Sequence, residues 1–257
     1  MKGIGLQIRC GKEYFNSVNL KITYTDMFNL EQIENKITQS GWWQKAAHTV
    51  DCHYSNTSGV MLSHHLEMVY HNIGLVFEQP ETGFYGNLFD LVRQLKINKE
   101  EIRNELKVIA LLHDIGKTEE DKSMVISHPI TGKPAHKRHG LVGLMAAMEI
   151  LGPDFESIPV MKKHIYRTIE LHDISYGLFR EYKANSDIPG YDRWSYINNK
   201  INSSPAAGLI YLLIFKLADI HGHDDIHDVL WFYHTVKANY FDILNIELPI
   251  PTEADIR

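Results

Sequence analysis

Val108-Ile-Ala-Leu-Leu-His113-Asp114-Ile-Gly116-Lys117 carries an apolar helical run into an imidazole and a carboxylate side by side, then a glycine and an ammonium. Two chemistries suit this string. Neutral imidazole and ionised carboxylate both donate to divalent first-row metals, and a nearby lysine can hold the anionic oxygens of a phosphate as a point charge. Equally, a histidine in the last turn with glycine just beyond it is ordinary helix capping, with Gly116 in the left-handed conformation. What decides between them is where the other histidines and carboxylates of the chain fall.

Upstream, Asn98 and Glu101 form a capping-box signature for a helix through Leu112, and Ile102, Leu106, Ile109, Ala110 and His113 share its inner side. Asp114 then sits where helix carbonyls concentrate negative potential, so its ionised form calls for a cation. A second helical pattern runs from Ser58 to Phe77, with Leu62, His65, Leu66, Val69 and Ile73 on one stripe and His64 and His71 off it. A turn at 79–83 separates it from a short amphipathic helix over Phe84 to Leu95.

Downstream, Lys133 to Arg138 is a basic flank, and the helix from Leu141 to Leu151 puts His139 in line with Gly143, Ala146 or Ala147 and Ile150, leaving Lys137 and Arg138 at the rim. Pro159 opens a helix to about Ile174, near whose end His172-Asp173 echoes His113-Asp114, with His164 competing for the same inward role. The stretch from Ser175 to Pro205 reads as a long connection. Its tyrosines, Phe179 and Trp194 alternate with Arg180, Lys183, Arg193 and Lys200, which suits either a clamp for a nucleobase and its phosphate or a tyrosine-rich surface flap. Ser203 or Ser204 caps the most apolar helix, and Asp219 at its end is costly unless paired or metal-bound. A last helix spans Asp224 to Leu244, followed by an extended tail. Before residue 50, Lys21 to Thr25 suggests a strand, Asp26 caps a helix through Ile37, and Trp42 and Trp43 pack on the core or fill an interface.

The 257 residues, 44% apolar and 23% charged, can bury a full core. A formal charge of −6 argues against a general polyanion binder, since such binding comes mainly from neutralised phosphates. With only Cys10 and Cys52, a thiolate cluster is excluded and a reducing, cytoplasmic setting is expected; any metal falls to nitrogen and oxygen ligands, for which 15 histidines are at hand. No signal peptide and no spanning helix are expected.

His65, His113-Asp114 and Asp219, in that order, resemble the HD superfamily of metal-dependent phosphohydrolases over roughly residues 58–225. The segments Ser58 to Val69, Leu111 to Lys117 and His139 to Gly143 are most similar to the HD domains of bacterial 3′-to-5′ exoribonucleases and of mobile-element relaxases. The resemblance implies an all-α HD-type helical bundle at 51–245 with a metal site at its centre, a small irregular or β extension at 1–50 packed on it, and a tail at 246–257. It implies one divalent ion on His65, His113, Asp114 and Asp219, and a second on Asp114, His139 and His172. The metal itself, Mn, Fe, Mg, Co or Ni, is left open. Asp114 and Lys117 would be catalytic, and Lys117, Lys137, Arg138 and Arg180 would hold the substrate, a phosphoester in a nucleotide, cyclic nucleotide or oligonucleotide. A small phosphate-bearing molecule or short nucleic acid is therefore the expected partner, with no membrane and room for a homo-oligomer. Dinuclear members of that superfamily often carry a His-His pair where this chain has His172-Asp173. Two alternatives share the fold: a mixed-valence di-iron oxygenase with a matching ligand set, and a non-catalytic module that binds a nucleotide or a protein.

Overall fold

The computed structural model describes residues 28–51, 60–119, 121–127, 134–152, 159–188, 190, 192–193, 196–197, 200, 205–221, 226–244 and 247–256. The chain is an all-α bundle. Its helices are α1 (Leu30–Thr38), α2 (Gly41–Ala46), α3 (Leu62–Glu78), α4 (Gly83–Gln94), α5 (Lys99–Leu112), α6 (His139–Leu151), α7 (Pro159–Leu171), α8 (Ile174–Asn185), α9 (Pro205–Asp219), α10 (His227–Leu244) and α11 (Glu253–Ile256). Between α5 and α6 lie a 3-10 turn at Ile115–Thr118 and a two-stranded antiparallel ribbon, β1 (Val125–Ser127) and β2 (Pro134–His136), in which Val125 faces His136.

The centre is made by α3, α5, α7 and α9, which pack on one another. Along α3, Leu62, His65, Leu66, Val69, Ile73 and Val76 are buried at three- and four-residue steps, while His64 and His71 face outward, as the periodicity requires. On α5, Asn98 caps the helix by accepting from the backbone N–H groups of Glu100 and Glu101 at 2.9 and 3.1 Å. α9 is buried all round from Ala207 to Ala218, because it is flanked by α3, α5, α7 and α10. No helix among the described residues is long and apolar enough to cross a membrane.

Several expectations shift. The first described helix starts at Leu30 under Asn29, whose side chain accepts from Gln32 N–H at 3.1 Å. Asp26 and the strand expected at Lys21 to Thr25 lie outside the described residues. Trp43 is buried; Trp42 is half-buried and donates its indole N–H to Glu149 at 3.0 Å. The connection after Ser175 begins with α8, a full helix. Its aromatic residues have a packing job: Phe179 and Tyr182 lie against Trp231 of α10, with ring centroids 5.7 and 5.4 Å away. The tail is no loose strand either. Leu248 and Ile256 enter the core, and Tyr85 donates to the Asp255 carbonyl at 2.6 Å.

Gly116 differs in kind from the capping reading. The glycines with positive φ among the described residues are Gly83 and Gly152, so Gly116 is no left-handed cap. It is small because the 3-10 turn nests on the start of α6: a Cβ there would lie 2.1 Å from the His139 carbonyl oxygen and 2.5 Å from the Gly143 nitrogen.

Candidate metal centre

Each chemistry-bearing side chain stands where an element starts or stops, except His65, which is one turn into α3. His113 closes α5, Asp114 opens the 3-10 turn, His139 is the first residue of α6, His172 follows α7, Asp173 precedes α8 and Asp219 ends α9. Helix ends carry the fewest internal constraints, so side chains from elements far apart in the sequence can converge on one point of the bundle.

Three of the imidazoles are fixed the same way. The Nδ1–H of His113 donates to the Ala110 carbonyl at 2.9 Å, that of His139 to His136 at 3.0 Å, and that of His172 to Ile169 at 2.8 Å. A carbonyl only accepts, so Nδ1 carries a proton and each Nε2 is the nitrogen turned inward, a donor to metal wherever it holds no proton of its own. For His65 the Nδ1 side faces the buried carboxylate of Asp51 at 3.7 Å. The backbone N–H of Asp51 is held by the Val60 carbonyl at 2.9 Å, beside the antiparallel bridge of Val50 with Met61.

The inward atoms form two groups that share Asp114. Its Oδ2 lies 3.5 Å from His65 Nε2 and 3.4 Å from His113 Nε2, and those two nitrogens are 3.3 Å apart. Asp219 Oδ1 completes this side at 3.8 and 3.5 Å from the same nitrogens. The other oxygen, Oδ1, lies 3.3 Å from His139 Nε2 and 3.2 Å from His172 Nε2, themselves 3.2 Å apart. Ligand atoms about 2.1 Å from one ion at angles near 90–110° are about 3.0–3.4 Å from each other. The donor spacing here fits that polyhedron, and the two groups, His65-His113-Asp114 and Asp114-His139-His172, could each hold a metal ion.

Two residues join that the sequence reading had not placed as ligands or supports. Asp173 Oδ2 stands 3.4 Å from His139 Nε2, so the carboxylate after His172 faces the second group as well. Its adjacency to His172 was the available signal. Lys216 donates to Asp219 Oδ2 at 2.7 Å and so turns Oδ1 toward His65 and His113; its position three residues before Asp219, on one helix face, was the clue. His164, the rival of His172, is elsewhere: its ring stacks on Tyr211 with centroids 4.8 Å apart, in the core.

Of the basic residues expected at the substrate, Lys117 is buried and pairs with Asp114 Oδ2. Arg138 lines a cleft of about 640 Å³ together with His139 and Asp173. Lys137 is exposed on the turn before α6, where its backbone N–H donates to Met124, and it does not line this cleft. Arg180 is exposed on α8, its guanidinium 5.6 Å from the Tyr176 ring centroid, and is also absent from the lining.

The electrostatics are those of a cation site. Burial disfavours charge on Asp114, yet Lys117, His113 and His172 hold its carboxyl well below the usual range. Against the same burial, Lys216, His113 and His65 hold Asp219 well below it. Burial would also lower His113, but the carboxylates of Asp114 and Asp219 overcome it and hold the imidazolium up to about 10. Burial lowers His139, which is neutral at pH 7 and ready to donate. A proton thus stands on His113 where an ion would bind, and a metal must displace it. The expected result is that Mn²⁺ binding releases a proton and tightens by up to about tenfold per pH unit between about pH 6.5 and 8.5. Titration calorimetry in buffers of differing ionisation enthalpy reads this directly; a pH-independent affinity with no proton release would contradict it.

The described chain is thus a helical bundle with buried histidine and aspartate groups able to hold metal. Comparison with models of known protein families, with curated proteins and with solved structures found no match in any of the three.

Proposed function

We propose that the chain is an HD-type metal-dependent phosphohydrolase that hydrolyses a phosphoester of a nucleotide, cyclic nucleotide or oligonucleotide. The observation that carries this reading is Asp114, whose two oxygens each face a separate pair of imidazole nitrogens. His65, His113 and Asp219 would hold one ion, His139, His172 and Asp173 the other, with Asp114 shared. Bound divalent ions supply Lewis acidity toward phosphoryl oxygens and toward water.

The chain's own groups do the positioning. The carbonyls of Ala110, His136 and Ile169 lock three rings, and Lys216 turns Asp219. Lys117 balances the shared carboxylate from within the bundle. Arg138, next to His139 in the cleft, places a guanidinium where the charge of a phosphoryl group needs an opposite partner. A phosphate-bearing molecule approaching through that cleft meets His139 and Asp173 first.

The test is a panel of nucleotides, cyclic dinucleotides, short oligonucleotides and bis(p-nitrophenyl) phosphate with Mn²⁺-loaded protein. Release of phosphate or of a nucleoside monophosphate supports the proposal. Two irons with oxygen consumption and no hydrolysis would replace it with the oxygenase reading.

A further inference from the structure

The cleft beside the second group is lined, beyond His139 and Asp173, by Arg138, Arg193, Glu170 and Tyr196. Its carboxylate, Glu170, has both oxygens engaged, by Arg167 at 2.7 Å and Lys200 at 2.6 Å. Arg193 is braced from behind: Nε and Nη2 hold the two oxygens of Glu181 at 3.1 and 2.6 Å, and among the described residues this leaves the Nη1 edge for a ligand. Arg138 is exposed and makes no ion pair among the described residues. It also holds φ +57°, a conformation that glycine adopts more cheaply. Tyr196 exposes 42% of its surface while its neighbour Ile197 is buried in the core, so the ring is held at the surface by an anchored segment. The Lys200 ammonium stands 5.6 Å from that ring's centroid.

An anion site next to an exposed ring, in a cleft within the roughly 300–1,000 Å³ range of small-molecule sites, suits a phosphate carried on a molecule with a planar group. We propose that this cleft is a recognition site for a mononucleotide-sized phosphoester. Arg138 takes the phosphate at the metal end, Tyr196 stacks the planar base, and Arg193 offers its remaining edge to the ligand's polar groups. The proposal rests on the phosphohydrolase reading and narrows it from polymers to small nucleotides. The net charge of −6 agrees, since a long polyanion would be repelled by the rest of the surface.

The experiment is calorimetric binding of adenosine 5′-monophosphate and of ribose 5-phosphate, which lacks the ring, to the Mn²⁺-loaded and the metal-free chain. Stacking on one aromatic ring corresponds to roughly five- to hundred-fold in affinity, so the nucleotide should bind at least about fivefold more tightly. Tyr196→Ala should bring the two ligands within about twofold by weakening the nucleotide alone. Arg138→Gly should weaken both by the same factor, with a melting temperature no lower than that of the parent, because glycine suits the backbone there. Equal affinities in the parent chain, or a preference that survives Tyr196→Ala, would overturn the proposal. If the chain holds two metals and cleaves bis(p-nitrophenyl) phosphate without any ring preference, the cleft assignment alone fails. If no metal binds and the Tyr196-dependent preference persists, the cleft assignment stands and the phosphohydrolase reading fails.

Discussion

Asp114→Ala should lose both metal ions at once and lower phosphoester hydrolysis by at least about 1,000-fold. Among the described residues Asp114 is the one common to both groups: Oδ2 faces His65 and His113, and Oδ1 faces His139 and His172. Removing His65 or Asp219 should cost one ion and spare the other, so the pattern of stoichiometries distinguishes a shared carboxylate from two independent sites. The substitution also leaves the buried Lys117 ammonium without its closest anion. Breaking a buried pair from one side costs about 3–5 kcal/mol, so the variant will also melt earlier. The double substitution Asp114→Ala with Lys117→Met removes that buried charge, which would otherwise keep only the more distant Asp51 carboxylate at 4.0 Å, and should recover part of the lost stability while still binding no metal. Retention of two ions by either variant would contradict the shared role.

Among the described glycines, Gly116→Ala should be the most damaging substitution. The added carbon would lie 2.1 Å from the His139 carbonyl oxygen, 2.5 Å from the Gly143 nitrogen and 3.0 Å from Val142 Cβ. The first two are backbone atoms of α6, which cannot swing aside as a flexible side chain does, so the turn and the helix must separate. Overpacking typically costs about 1–3 kcal/mol, and backbone atoms on both sides put this site at the upper end, about 3 kcal/mol, which for a domain of this size lowers the melting temperature by roughly 6–12 °C. Because α6 begins with His139, the same displacement should weaken the second ion more than the first. A melting temperature within about 2 °C of the parent would show that the contact has room to relax.

Much of this was legible before any coordinates. The 3.6-residue stripe put His65 inside and His64 and His71 outside, and the structure has them so. Asn98 announced the start of α5, and the unbroken apolar run before Asp219 announced a helix enclosed on all sides. Harder to read were features set by neighbours distant in sequence. Gly116 looks like a cap locally, and only the approach of α6 shows why it must be small. His164 and His172 both point inward from the same segment, and Tyr211, 47 positions beyond His164 in the chain, decides between them by stacking on His164. Among the aromatics after Ser175, Phe179 and Tyr182 are taken up in packing because their partner, Trp231 on α10, lies far along the chain. Asp51 behind His65 carried no local pattern at all.

The most direct measurement is elemental analysis of protein purified without added metal and then equilibrated with Mn²⁺, beside the same analysis of Asp114→Ala. Two ions per parent chain and none in the variant is the result expected from a carboxylate facing two groups of imidazoles. A parent chain that takes up no metal, or a variant that keeps both ions, would mean that these inward histidines serve the core rather than a dinuclear centre.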